Sequence, residues 1–100
     1  MPAVKVEFHR LALKEYDGAC KWYADRSVDA EMRFRQAVDE ATVRIAEGPE
    51  SLPRLSGFYR RIRVQRFPYI LVFRPRQPDE VVVVAVAHTS RRPGYWRRGE

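Results

Sequence analysis

One hundred residues, 45% hydrophobic and 32% charged, suffice for one compact domain with a modest core over residues 1–100 and exclude the composition of a disordered chain. No apolar run reaches the roughly 18 residues of a membrane span, and the start MPAVKVEF lacks the basic-then-apolar pattern of a secretory signal, so a cytoplasmic protein with no membrane association is expected. With Cys20, His9 and His88 as the only cysteine and histidines, no internal disulfide and no metal site with recognisable spacing can be assembled.

The net charge of +6 is divided unevenly. Residues 1–50 carry eight basic against ten acidic side chains, whereas residues 51–100 carry eleven arginines against three acids. Every basic residue after Lys21 is arginine, which favours bidentate or stacked contact with phosphate, carboxylate or nucleobases over simple charge attraction. The composition therefore points to an acidic or polyanionic partner, with a solvated basic face as the plainer reading.

In chain order, Val4, Val6 and Phe8 alternate with Lys5 and Glu7, the pattern of a short half-buried strand. From Arg10 to about Arg26 the period becomes helical, with Ala12, Tyr16, Ala19, Cys20 and Tyr23 on one stripe. Gly18 inside it is expected to mark close packing against a neighbour. Ser27 or Asp29 can cap a second helix, whose stripe of Ala30, Phe34, Ala37, Val38, Ala41 and Ile45 stops before Gly48-Pro49. A link of two or three residues forces the helices into an antiparallel hairpin with a joint apolar surface.

Pro49 to Gly57 reads as a loop anchored by Leu52 and Leu55. In the strand Tyr59 to Val64, Ile62 and Val64 face the helices and Arg61 and Arg63 the opposite side. Phe67-Pro68-Tyr69 reads as a turn or bulge before a strand at Ile70 to Phe73, and Pro75 to Glu80 as a further turn. Val81 to Ala87, with no polar position on either face, is a strand covered on both sides. The fold class is α+β, a helical hairpin on an antiparallel-rich sheet in the order βααβββ, with arginines on the free face. Immediately after the valine strand come His88, Arg91, Arg92, Tyr95 and Trp96, so a rigid strand delivers titratable, cationic and aromatic groups to one sheet end. Arg97-Arg98 reads as a solvated tail.

Arg60-Arg61, Arg66-Phe67-Pro68-Tyr69-Ile70, Asp79, Ala85-Val86-Ala87-His88, Arg91, Pro93 and Tyr95-Trp96, with Phe8, Ala12, Ala19, Trp22-Tyr23 and Phe34 before them, together resemble the RelE/ParE superfamily of toxins from type II toxin–antitoxin systems. The likeness covers nearly the whole chain and carries the same βααβββ layout. It implies a toxin held inactive by a cognate antitoxin in a hetero-oligomer, working without a cofactor. Trp22, Leu11 and the exposed arginines would be candidate contacts.

The superfamily contains two mechanisms. RelE-like members are endonucleases that cleave mRNA in the ribosome; on that reading Arg61, His88, Arg91 and Tyr95 would be the catalytic group, with His88 able to exchange a proton near neutral pH. ParE-like members inhibit DNA gyrase; on that reading Arg60, Arg61, Arg63, Arg66, Arg91, Arg92, Trp96 and Trp22 would form a surface for target or antitoxin, arginine and tryptophan being frequent anchors. Nuclease-type members commonly carry an arginine after the third-strand tyrosine, where this chain has Ile70, and the Phe67-Pro68-Tyr69 segment and the His88–Trp96 tail look more like the ParE or plasmid-stabilisation branch. The gyrase-directed reading is the expectation.

Overall fold

The computed structural model describes residues 3–100 apart from the side chain of Arg98, so the expectation for the Arg97-Arg98 pair falls partly outside the described residues. Strand β1 (Lys5–Phe8) leads into helices α1 (Arg10–Ala24) and α2 (Val28–Glu47), followed by strands β2 (Arg54–Ser56), β3 (Tyr59–Val64), β4 (Tyr69–Gln77) and β5 (Glu80–His88). A short 3-10 turn spans Pro49–Ser51 and another closes the chain at Tyr95–Gly99.

Both helices start where side chains can take up free amides. The His9 ring accepts the Leu11 N–H at 3.1 Å, and the Ser27 hydroxyl accepts the Ala30 N–H at 3.2 Å. Replacing such a cap costs about 1 kcal/mol. Asp29 and Glu31 favour the α2 N-terminus electrostatically and pair with Arg33 and Arg35 one turn on, at 3.1 and 2.9 Å. Gly18 does not mark close packing: a Cβ built there meets nothing within 4 Å. Its place on α1 is opposite the buried Ala12 and Ala19, so the helix tolerates an unfavourable residue where nothing packs.

The sheet has five strands in the order β1-β5-β4-β3-β2. β1 runs parallel to β5, and the other pairs are antiparallel. The expected long loop before Tyr59 contains β2, an irregular three-residue edge strand that alternation could not reveal. β4 likewise continues through Pro75 to Gln77, beyond the expected end at Phe73. The β3 ladder stops at Arg60–Phe73, so β4 there has a neighbour on one side only, and a proline can stand where its missing N–H faces no strand.

The sheet is buried on both faces. Against Phe34 and Ile45 of α2 lie Ile62, Val64, Leu71, Phe73, Val81, Val83 and Val86 of the sheet, with the Cys20 thiol of α1 shifted upward by burial. On the other face Tyr59, Val72, Val82, Val84, Ala85 and Ala87 pack with Trp96 from the closing turn. The expectation of an arginine-covered free face is thus corrected. Arg61 and Arg63 do stand exposed on that side, but over β5 and β4 the cover is Trp96, because apolar residues on both sides of β5 need apolar partners on both.

A bulge in β5 arranges this. Val83 pairs with Phe73 and Ala85 with Val72, leaving Val84 as an extra residue. Val84 and Ala85 consequently both face Trp96, and Val86 and His88 return to the helix side.

Candidate functional site

The carboxyl end of β5, the β3–β4 turn and the α1–α2 connection meet at one end of the molecule. The Thr89 N–H donates to Pro68 O at 2.9 Å. The Tyr23 ring meets Phe67 at 5.1 Å and Phe34 at 5.0 Å, and Phe34 in turn meets Tyr69 at 5.3 Å. His88 completes this aromatic row, its ring 5.1 Å from Tyr69. Its Nδ1 accepts the Ser90 N–H at 3.1 Å and lies 2.8 Å from the Ser90 hydroxyl, an arrangement that puts the neutral ring's proton on Nε2.

Tyr95 is already engaged. Its hydroxyl donates to Glu15 Oε2, while Glu15 Oε1 accepts the Val86 N–H at 2.8 Å. β1 ends at Phe8, opposite Val83, so farther along β5 has no strand on that side among the described residues; Glu15, reaching from α1, takes up the Val86 N–H there. Burial first, and then the Glu15 carboxylate, push the Tyr95 hydroxyl far above the ordinary tyrosine value. The Arg91 guanidinium lies 3.8 Å over the Tyr95 ring, a contact worth roughly 0.5–1 kcal/mol at such an exposed place.

The remaining candidates are dispersed. Arg61 and Arg63 are on the face opposite His88. Arg61 pairs with Val72 and Val72 with Ala85, which puts Arg61 roughly 10 Å along and about 10 Å across the sheet from His88. The expected catalytic set of Arg61, His88, Arg91 and Tyr95 is therefore not brought together: Arg91 and Tyr95 touch, His88 stands near them, and Arg61 is behind the sheet. Arg60 is on the helix side, its guanidinium donating to Leu52 O at 2.7 Å to fasten the preceding loop. Arg66 and Arg92 are exposed.

Trp96 needs a correction as a surface anchor. It is 7% exposed, packed edge-on against Tyr59 and Tyr95. Trp22, by contrast, is 50% exposed, with the Arg26 guanidinium 3.4 Å over its ring and bonded to its carbonyl at 2.8 Å. Leu11 is covered by the closing turn, since a Cβ on Gly99 would collide with it.

Two features escaped sequence reasoning. Glu15 borders the α1 stripe and looks like an ordinary surface acid. Glu100 accepts from the Arg74 guanidinium and, at 3.0 Å, from the Tyr59 hydroxyl, fixing the closing turn at its far end. Chiefly through Arg74, its carboxyl is held below the usual value. Neither could be found by periodicity, because both act across separations of 26 to 80 residues.

The residues at this end are cationic and aromatic: Trp22, Arg26, Arg66, Arg91 and Arg92 are exposed and His88 is half-buried, with the Arg91 N–H donating to the His88 carbonyl at 3.0 Å. Among the described residues, no group of three His, Cys, Asp or Glu side chains could hold a metal ion, and no helix is long and apolar enough to cross a membrane.

The family described as ParE toxin of type II toxin-antitoxin system, parDE, matches residues 6–93. The chain belongs to the ParE toxin family. Its fold is similar to a chain of the chromosomal ParDE toxin–antitoxin system from P. aeruginosa, with a TM-score of 0.75 at 16% identity over 86% of this chain and 96% of that one. It is also similar to a double arginine-to-alanine mutant of the E. coli toxin RelE in the free state, with a TM-score of 0.61 at 22% identity over 88% of this chain and 85% of that one. No curated protein matches the sequence significantly. This ParE-family chain is thus the toxin half of a type II toxin–antitoxin pair, on the α+β fold expected of the RelE/ParE superfamily.

Proposed function

We propose that this ParE-family toxin inhibits DNA gyrase by binding it, without cleaving RNA, and that an acidic antitoxin segment neutralises it in a hetero-oligomeric complex. The observation that carries this reading is the Tyr95–Glu15 bond. Metal-free RNA cleavage needs a base, an acid and cationic donors around one phosphate. Here the tyrosine is committed to a carboxylate, its proton is held more tightly than in water, and Arg61 faces away from His88. Such a set supports contact with a macromolecular surface better than proton transfer. The exposed Trp22–Arg26 stack and Arg66, Arg91 and Arg92 are suited to a shared, graded interface.

Pulse-labelling of new DNA and new protein in cells shortly after induction of the chain without its antitoxin tests the proposal. Early arrest of DNA synthesis is the expected result, and Tyr95→Phe and His88→Ala, checked for folding, should remain toxic. A rapid stop in protein synthesis with DNA synthesis continuing, abolished by either substitution, would refute it.

A further inference from the structure

β1 lies at the edge of the sheet. The Lys5 N–H donates to Asp79 O at 2.8 Å and the His9 N–H to Val83 O at 2.9 Å, so odd-numbered positions of β1 bond to β5 and the backbone groups of Val6 and Phe8 point away from the sheet. No strand lies beside them among the described residues. Val4 points the same way, and its N–H donates to Ala46 O at 3.0 Å, which brings the end of α2 to that end of β1.

The two faces of this edge differ. Val4, Val6 and Phe8 turn toward the helices and are only partly buried there. Lys5 and Glu7 stand on the far face, paired with each other at 3.0 Å and reaching solvent. Short length and charge ordinarily discourage edge pairing. Here the charges are opposite and two positions apart, so a twofold axis through Val6 sets Lys5 of each copy against Glu7 of the other, and Val4 against Phe8. The neighbouring register, centred on Glu7, would set two carboxylates face to face. Beside Phe8 lies a hollow of about 140 Å³ between the helices, walled by Leu13, Val38 and Thr42. Leu13 and Val43, the residue after Thr42, are both exposed.

We propose that two copies of this chain pair through β1, antiparallel about a twofold axis at Val6, so that one sheet runs through both. Val6 exchanges both main-chain bonds with its counterpart, and the Phe8 N–H donates to Val4 O of the second copy. The helix-side row of Val4, Val6 and Phe8 is then apolar throughout, and the far-side row is ionic throughout. Because the end of α2 accompanies Val4, the twofold carries Val43 of one copy toward the hollow beside Phe8 of the other. The inference is independent of the toxin's target and uses none of the residues assigned to it above.

Sedimentation equilibrium of the intact chain tests this. The expected result is a monomer–dimer equilibrium, with hydrogen exchange at the Val6 and Phe8 amides slowing as concentration rises. Lys5→Glu and Glu7→Lys should each weaken the dimer roughly tenfold, since the twofold applies each change twice. An equimolar mixture of the two variants should recover the parent affinity as a heterodimer, because opposite charges then face each other again. A chain that stays monomeric to about 1 mM, amide protection confined to other segments, unchanged dimerisation in either single variant, or no recovery on mixing would each overturn the proposal. Where a variant fails to fold, amide protection in the parent alone decides.

Discussion

Trp96 offers the sharpest test of how the closing turn works. At 7% exposure a tryptophan buries roughly 150–250 Å², which at about 25 cal/mol per Å² is worth about 4–6 kcal/mol. Against this stands Nε1, buried with no hydrogen-bond partner among the described residues; removing an orphaned donor recovers roughly 1–3 kcal/mol. Trp96→Ala should therefore cost a net ~2–4 kcal/mol. In a chain of 100 residues that corresponds to a fall in Tm of about 10–25 °C. Circular dichroism melts and urea titrations would measure it. Trp96→Phe, which keeps most of the apolar surface and loses the orphaned N–H, should lie within about 1.5 kcal/mol of the parent. A cost below about 1 kcal/mol for Trp96→Ala would refute the reasoning: the far face would then not depend on Trp96, and its indole would be free for a partner.

Two further outcomes follow from local chemistry. Gly18→Ala places a methyl where nothing lies within 4 Å and should stabilise the chain by about 1 kcal/mol; a fall in Tm would mean the position is packed after all. The Tyr95 hydroxyl, raised in the folded state by burial and then by Glu15, contributes stability that is fully present below the unfolded tyrosine pKa and lost as pH rises toward the folded value. The urea midpoint should therefore drop between about pH 9 and pH 11, and less steeply in Tyr95→Phe. Equal slopes would exclude the Tyr95–Glu15 bond as a source of alkaline sensitivity.

The helices, the cap at Ser27, the orientation of Ile62 and Val64, and the doubly buried valine strand were legible because each rests on a short-range period. β2 was not, since three irregular residues carry no alternation, and the extension of β4 through Pro75 was hidden by a residue that ordinarily ends strands. At the candidate site, types were legible and geometry was not. The tail could be recognised as dense in arginine and aromatics, but nothing local says that Trp96 turns inward, that Tyr95 reaches Glu15 on α1, or that His88 lies on the other side of the sheet from Arg61. That last fact depends on one extra residue in a run of identical valines.

The bulge at Val84 also makes the chain unusually forgiving of a change in length. Losing one residue from a two-faced strand ordinarily sends every later side chain to the wrong side. Here Val84 is the surplus residue, opposed by no partner of its own on β4, and the pairing with β1 ends one residue earlier, at Val83. A chain lacking only Val84 would keep Ala85, Val86 and His88 on their present faces, and should fold where a chain lacking Leu71 does not, as urea titration would show. Relatives differing by one residue at this point can thus share the orientation of the entire tail.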